Sequence, residues 1–237
     1  PPPRAAVRPS SRPGAPRRGA AMQMDPGFDG AEDDPFASIV EAAVPPLVLR
    51  CKVALLGDSG AGKTSLVQVF QNGEKSFPKQ YNMTIGIELS VKRVPIPDEP
   101  AVVVEMYIVD CGGFSVPQED LLKTHWESAN AVMFVYDVSN PESFKSLDKW
   151  YEQFRQARPE GAGFPGVVVA SKTDLSDRPG AVTSDQGVNF SRDHAGLEFF
   201  ESCAATASVD DPFVALAKGF YGRYRNRKEE LRSMKTH

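Results

Sequence analysis

The sequence has few cysteines and no long apolar run, and each shortage argues against a class of protein. Its 237 residues include three cysteines, an odd number in a chain of this length, which argues against a secreted scaffold held together by disulfides. The longest apolar runs, such as residues 131–136, are far shorter than the ~20 residues that a membrane-spanning helix needs. No basic patch is interleaved with aromatic residues, so a nucleic-acid role has little support.

What remains is the composition of an ordinary soluble domain, distributed unevenly. Ten of the 20 prolines lie in residues 1–46. Residues 1–24 carry five arginines and no acid, and residues 25–41 carry six acids and no base. We expect residues 1–49 to be a disordered extension, because they bury too little apolar surface to offset the entropy of ordering.

The first 24 residues raise a separate question, because the chain does not begin with methionine. We interpret residues 1–24 as translated upstream sequence that is absent from the native protein. A transit peptide is the alternative, but the six prolines in the first 16 residues disfavour an amphipathic helix.

Strand and helix patterns alternate from residue 47 onward. Four short runs rich in β-branched residues predict strands: residues 48–56, 101–109, 131–136 and 167–170. Apolar residues at spacings of three and four predict a helix over 141–158, opened by Asn140 and Pro141, and a last helix containing Phe213 and Tyr224. The alternation predicts an α/β domain with a mainly parallel sheet covered by helices on both faces.

One further strand has a different pattern. Ile85, Ile87, Leu89 and Val91 alternate with polar residues, and a proline-containing turn over 95–98 leads to the strand that starts at Ala101. This pattern predicts a half-exposed strand at the sheet edge, paired with its neighbour in a hairpin.

Residues 57–64 form the phosphate-binding pattern G-x-x-x-x-G-K-[ST], between the first strand and a helix predicted over 65–71. Its glycines let backbone amides turn inward, and the following helix points its positive end at a phosphate. In this loop Lys63 would reach the β- and γ-phosphates, and the Thr64 hydroxyl would bind magnesium. A glycine-rich turn matched by chance is the alternative, and the flanking strand and helix argue against it.

Four more segments follow at strand ends or in connecting loops. They are, in order, Met83-Thr84-Ile85-Gly86, Asp110-Cys111-Gly112-Gly113, Ser171-Lys172-Thr173-Asp174 and Glu201-Ser202-Cys203-Ala204-Ala205. Each segment alone is weak evidence for a nucleotide site, since most D-x-x-G sequences form turns and most K-x-D sequences lie on the surface. Together with the phosphate loop they stand where an α/β sheet presents its ligands.

These motifs resemble those of the small GTPases of the Ras superfamily, and residues 50–227 carry the resemblance. The stretches 57–65 and 136–144 are typical of Rab-like members. Four further stretches are similar to the Rab-like intraflagellar transport protein 27 family, whose members are subunits of ciliary transport trains. They are residues 77–84, 94–98, 125–128 and 211–213. The resemblance implies a P-loop GTPase domain with a mixed, mostly parallel six-stranded sheet over 50–227, followed by a short tail over 228–237.

The resemblance also implies GTP or GDP bound with Mg²⁺. The implied nucleotide-binding residues are Ser59, Gly60, Ala61, Gly62, Lys63, Thr64, Ser65, Phe77, Tyr81, Thr84, Gly113, Ser171, Lys172, Asp174, Cys203, Ala204 and Ala205. The implied magnesium ligands are Thr64, Thr84 and, through water, Asp110.

Each of these residues has an implied role. Thr84 and Gly113 would report whether the third phosphate is present. Asp174 would accept the N1–H and the exocyclic amine of guanine, two donors that adenine lacks in that arrangement. Phe77 would lie at the edge of the base and Tyr81 over the phosphates. Lys172 would lie over the ring, and the amide of Ala204 would meet the guanine carbonyl.

Several positions depart from the family pattern. Ser171 replaces an asparagine and Ala205 replaces a lysine, so we expect weaker nucleotide binding than in ordinary relatives. Cys203 replaces a serine, and a buried core thiol is an equal interpretation of it. Phe114 stands where active relatives have the glutamine that orients water, so we expect very slow GTP hydrolysis and name no catalytic residue.

Two functions remain open at this point. The first is a GTP-binding adaptor subunit of intraflagellar transport complex B, with intraflagellar transport protein 25 as an implied heterodimer partner, in the cytoplasm, cilium or flagellum, and basal body. The alternative is a Rab-type GTPase regulating vesicle traffic. The last cysteine is Cys203, so we expect no C-terminal lipid anchor of the Rab kind. A P-loop kinase or ATPase is disfavoured by Lys172 with Asp174.

Overall fold

A computed structural model describes residues 45–80, 82–112, 119–158, 163–194 and 196–235, with the backbone alone for 119–122. The chain divides into one unit over Pro1–Ala43 and a second over Val44–His237, which contains every element below. The predictions for residues 1–44, Tyr81, Gly113 and Phe114 lie outside the described residues.

A six-stranded sheet forms the centre of the described domain. Its strands are β1 (Leu47–Leu56), β2 (Ile87–Ile96), β3 (Glu99–Cys111), β4 (Ala131–Asp137), β5 (Gly166–Ser171) and β6 (Leu197–Ser202). They lie in the order β2-β3-β1-β4-β5-β6, and only the β2–β3 pair is antiparallel among them. The predicted mixed, mostly parallel sheet is confirmed.

Five α-helices belong to the described residues. They are α1 (Lys63–Asn72), α2 (Glu119–Glu127), α3 (Pro141–Gln156), α4 (Ser184–Asp193) and α5 (Asp210–Lys235). Asn140 caps α3 by accepting a hydrogen bond from the backbone N–H of Glu142, with Pro141 as the first helical residue. Helix α5 continues across residue 227, where the sequence analysis divides the domain from a tail. No helix of the described chain is long and apolar enough to cross a membrane.

The helices cover both faces of the sheet, as predicted. Successive residues of β1 point to opposite sides: Val53 and Leu55 belong to the core beneath α1 and α5, and Ala54 and Leu56 to the core beneath α3. Both cores exclude water from β4 and from the second half of β1, which explains why these segments are almost continuously apolar.

The edge strand β2 pairs with β3 in the predicted hairpin, and Val94 and Ile96 near its end are buried in the core, but Leu89 and Val91 of the predicted alternation face away from it. Leu89 and Val91 are 60% and 47% exposed, whereas Lys92 on the opposite face lies against α1. The Lys92 ammonium lies 3.9 Å from the Phe70 ring centroid and also donates to the Phe70 carbonyl. The long lysine stem therefore takes the inward position and leaves an apolar strip outside.

Candidate nucleotide site

The phosphate loop connects β1 to α1 in a conformation that requires glycine at two positions. A Cβ on Gly57 would lie 2.1 Å from the Val135 carbonyl oxygen, and Gly57 has a φ of +143°. Gly62 has a φ of +100°, and a Cβ there would lie 2.6 Å from the Ser171 hydroxyl. The loop backbone therefore lies directly against the carboxyl ends of β4 and β5. The predicted base-binding segment 171–174 begins at the end of β5.

Helix α1 begins at Lys63 without a capping side chain and without an acid in its first turn. Its first N–H groups are therefore available to an anionic ligand, and the helix dipole favours negative charge there. This is the local chemistry that a phosphate group requires.

Lys63 is folded back over the loop. Its ammonium donates to the carbonyl oxygens of Gly57 at 2.8 Å and Asp58 at 2.9 Å. Burial lowers the pKa of Lys63, and the charge of Asp110 opposes part of that fall. A phosphate would supply the negative partner that this desolvated cation lacks.

Three oxygen-bearing side chains from separate segments converge beside the loop. The Thr64 hydroxyl donates to a carboxylate oxygen of Asp110 at 2.5 Å and lies 2.7 Å from the Thr84 hydroxyl. These residues are the three predicted magnesium ligands, and the fold brings them together. Burial raises the pKa of Asp110, while the Thr64 hydrogen bond and the Lys63 charge oppose the rise.

The donor set fits Mg²⁺. The second oxygen of Asp110 is buried without a hydrogen-bond partner, and Mg²⁺ prefers oxygen ligands from few carboxylates completed by phosphate and water. No cluster of three or more His, Cys, Asp or Glu side chains occurs in the described part of the chain. A cation here would therefore depend on the two hydroxyls and a bound phosphate as well as on Asp110.

The two segments expected to respond to the third phosphate touch each other. The backbone N–H of Gly112 donates to the Gly86 carbonyl at 2.9 Å, and a Cβ on Gly112 would lie 2.5 Å from the Thr84 carbonyl oxygen. Glycine at 112 thus permits a close approach between its own backbone and that of Thr84, a role that was not predicted from the sequence.

The predicted base-binding residues lie at the ends of β5 and β6. Asp174 stands in a 3₁₀ turn over Thr173–Leu175, and the Cys203 thiol donates to its carboxylate at 3.2 Å. Ala204 begins a second 3₁₀ turn that also contains Ala205. The Ser171 hydroxyl lies against Gly62, so residue 171 contacts the phosphate loop rather than the cavity.

Lys172 is held by an acid that sequence reasoning did not identify. Its φ is +61°, and its ammonium lies 2.6 Å from a carboxylate oxygen of Asp137 at the end of β4. Burial acts to raise the pKa of Asp137, but hydrogen bonds from Lys172 and Ser139 outweigh it, and the pKa lies below its usual range. In the sequence, the signal for this contact was an acid, Asp137, at the end of the apolar strand over 131–136.

A cavity of about 520 Å³ lies beside the phosphate loop and extends to Thr84, Gly112 and Lys172. Of the predicted residues, those that line it are Ser59, Gly60, Gly62, Lys63, Thr64, Ser65, Phe77, Thr84 and Lys172. Described predicted residues that do not line it are Ala61, Asp110, Ser171, Asp174, Cys203, Ala204 and Ala205. Glu88, Cys111 and Gly112 line it without having been predicted as site residues.

Comparison with known proteins agrees with this geometry. A model of the Ras family matches residues 52–221. An intraflagellar transport protein 27 homolog of Homo sapiens is 41% identical over 78% of this chain and 98% of that protein. The intraflagellar transport protein 27 of Chlamydomonas reinhardtii is 35% identical over 76% of this chain and 88% of its own length. A Ypt/Rab-type GTPase of Emericella nidulans is 35% identical over 70% and 80% of the two chains.

Proposed function

The chain belongs to the Ras family of small GTPases, in its Rab-like intraflagellar transport protein 27 group, and from this premise we propose that it is a nucleotide-dependent adaptor of intraflagellar transport. In this proposal it binds GTP or GDP with Mg²⁺ and hydrolyses GTP very slowly. It associates with cilia or flagella as part of the transport machinery.

One observation carries the nucleotide part of the proposal. Residues far apart in the chain meet at one cavity: the phosphate loop, Thr84, Gly112 and Lys172. Lys63 and the first turn of α1 supply positive groups for phosphates. Two residues just after β5 suit a base. Lys172 supplies an aliphatic stem that can lie over a ring, and Asp174 supplies a carboxylate.

The choice of guanine rests on Asp174. A carboxylate has two acceptor oxygens and no donor, which suits the adjacent N1–H and amino group of guanine. The hydrogen bond from Cys203 holds the carboxylate before any nucleotide arrives. A kinase or ATPase site has no need of this arrangement beside Lys172.

The metal and the third phosphate connect the site to a switch. Thr64, Thr84 and Asp110 would hold Mg²⁺, which supplies charge neutralisation for the phosphates. The contact of Gly112 with the Thr84 backbone would make the two adjoining loops respond together. Phe77 would lie at the edge of the guanine ring and Tyr81 over the phosphates, and Gly113 would donate its amide to the third phosphate.

Slow hydrolysis follows from Phe114. A phenyl ring can neither donate to nor accept from an attacking water, and phosphoryl transfer depends on positioning that nucleophile. Because hydrolysis is slow, the GTP-bound state of the protein is long-lived. A long-lived bound state suits an adaptor better than a rapidly cycling regulator.

We also propose intraflagellar transport protein 25 as the direct partner within complex B, with locations in the cytoplasm and at the basal body as well as the cilium. The proposed domain boundaries are an extension over 1–49, whose last three residues begin β1, a GTPase domain over 50–227 and a terminal segment over 228–237 that contains the end of α5. Regulation of vesicle traffic as a Rab-type GTPase is the weaker alternative, supported by the Ypt/Rab-type relative.

The test is a pull-down of the full chain from ciliated cells, with bound nucleotide quantified. Recovery of transport subunits together with guanine nucleotide is expected. A Lys63→Ala variant is the matched control and should lose the nucleotide. Recovery of Rab escort or exchange proteins without transport subunits would support the vesicle-traffic alternative, and adenine nucleotide would contradict the assignment of the base.

A further inference from the structure

Helix α3 is tied to the phosphate loop by a tryptophan that the nucleotide motifs do not include. The Trp150 indole N–H donates to the Asp58 carboxylate at 2.8 Å, across 92 residues of sequence. Indole has a single donor, and a bond to a carboxylate is among the stronger protein hydrogen bonds. Neither Trp150 nor Asp58 lines the nucleotide cavity, so an effect of this bond on a ligand would be indirect.

Asp58 is also the residue on which the loop lysine rests. Its backbone carbonyl accepts from the Lys63 ammonium at 2.9 Å and from the Ala61 N–H at 3.2 Å. The side chain and the backbone of Asp58 therefore join three groups: α3, the loop backbone and the cation. A displacement of Asp58 would disturb one of the two carbonyl contacts that hold the Lys63 ammonium.

Trp150 has a second contact, with the carboxyl end of α2. The rings of Trp126 and Trp150 pack edge to face, with centroids 6.4 Å apart and planes at 82°. Such pairs contribute beyond the area that they bury. Trp126 is buried, and its indole N–H lies near the Cys111 thiol, where it opposes the rise in pKa that burial causes.

The end of α2 is itself fixed. The Arg158 guanidinium, just after α3, donates to the carbonyl oxygens of Trp126 and Ala129. Lys52 on β1 donates to the Ser128 hydroxyl at 2.7 Å. Trp126 is thus held in place, and Trp150 lies between this anchored end of α2 and the phosphate loop.

We propose that Trp150 is a positioning residue of the nucleotide site: it holds Asp58 and the phosphate loop in the binding arrangement and couples that arrangement to the seating of α2 through Trp126. The expected effect of Trp150 on nucleotide release rests on the proposed function. The expected effect on the conformation of the phosphate loop does not, and the two effects are measured separately.

The first measurement is release of a fluorescent guanine nucleotide from the full chain. Trp150→Phe keeps a ring in place and removes the N–H donor, and we expect release to become about tenfold faster, as loss of about 1.4 kcal/mol would give. Phe154→Leu is the matched control, because Phe154 is a buried aromatic of α3 that packs on Phe134 and Phe164. It should lower the melting temperature and leave release within about twofold of the parent.

A double-variant cycle isolates the bond. If the bond acts through Asp58, release from Asp58→Ala/Trp150→Phe should be no faster than from Asp58→Ala alone. Multiplication of the two single effects would overturn the proposal, as would a Trp150→Phe release rate equal to that of the parent.

The second measurement needs no nucleotide. Amide hydrogen exchange over residues 57–65 should rise about threefold or more in nucleotide-free Trp150→Phe and remain unchanged in Phe154→Leu. Equal exchange in the parent and Trp150→Phe would overturn the proposal. If the parent binds no guanine nucleotide at all, the proposed function fails, and the exchange result still decides whether Trp150 positions the loop.

Discussion

The Cys203 thiol lies 3.2 Å from the Asp174 carboxylate and donates a hydrogen bond to it, joining the end of β6 to the turn after β5. A carboxylate has about four lone-pair positions, so one thiol donor leaves room for the two donors of a guanine base. Cys203 is therefore a buried thiol that also orients the carboxylate of Asp174, the residue proposed to bind the base.

The Asp174→Asn substitution should reverse part of the base preference. The amide keeps one acceptor and gains donors, so it loses a charge-assisted contact with guanine and can donate to the 2-carbonyl of xanthine. We expect affinity for GTP to fall about 100-fold or more and affinity for XTP to rise, measured by calorimetry. Cys203→Ser keeps a donor to Asp174 and is the control. Unchanged GTP affinity in Asp174→Asn would contradict the role assigned to this residue.

Removal of magnesium should loosen the nucleotide through the hydroxyl and carboxylate cluster. Chelation is expected to speed release of a non-hydrolysable GTP analogue about tenfold or more in the parent, because the three phosphates lose their neutralising cation. In Thr84→Ala the response should shrink, since part of the binding set is already absent. Thr206→Ala removes a hydroxyl that bonds the Cys203 carbonyl and should keep the full response. An equal response in both variants would argue against Thr84 as a ligand.

Restoring glutamine at position 114 should restore hydrolysis. Phe114→Gln supplies a donor and an acceptor to orient water, and we expect single-turnover GTP hydrolysis to accelerate at least about tenfold. Phe114→Leu is the control, because it changes shape without adding a polar group. If the parent already hydrolyses GTP as fast as Phe114→Gln, the expectation of slow hydrolysis is wrong.

Strand positions were the most predictable part of this fold. Strands β4 and β5 and the second half of β1 are apolar runs buried on both faces, so their composition alone indicates that they are buried. Helix α4 was not predicted individually because its apolar stripe is short. Thr183 and Gln186 form a capping box at its start, which was the available signal.

The candidate site was predictable where residues are adjacent in sequence and less so where they meet only in space. The phosphate loop and Asp174 are recognisable from local spacing. The pairs Trp150–Asp58 and Lys172–Asp137 join residues 92 and 35 positions apart, and no local pattern relates their members. The outward apolar face of β2 was also missed, because alternation alone does not say which face is buried.

The contact between Lys52 and His125 should make folding stability depend on pH. The Lys52 ammonium lies 3.0 Å from His125 Nδ1. Burial, and then the charge of Lys52, lower the pKa of His125 below its usual 6.5. The unfolded chain therefore binds more protons than the folded chain just below pH 6.5, and stability falls as pH falls through that window.

The measurement is the urea midpoint of the nucleotide-free protein between pH 7.5 and 5.5. The decrease should be smaller in His125→Gln, which cannot take up the proton. Lys52→Met, which removes the neighbouring charge, should also reduce it. An identical pH dependence in the parent and His125→Gln would show that this histidine does not contribute.

The stacked rings of Phe70 and Phe213 should be a principal source of stability on the α1–α5 face. Their centroids lie 3.9 Å apart with planes at 7°, and Phe213 is fully buried. Phe213→Ala removes the stack and leaves a cavity beneath α1, so we expect about 3–5 kcal/mol less free energy of unfolding in urea. Leu231→Ala, on the exposed end of α5, should change it by about 0.5 kcal/mol or less. Equal losses in the two variants would mean that the ring stack is not what joins α5 to α1, the helix that begins at the end of the phosphate loop.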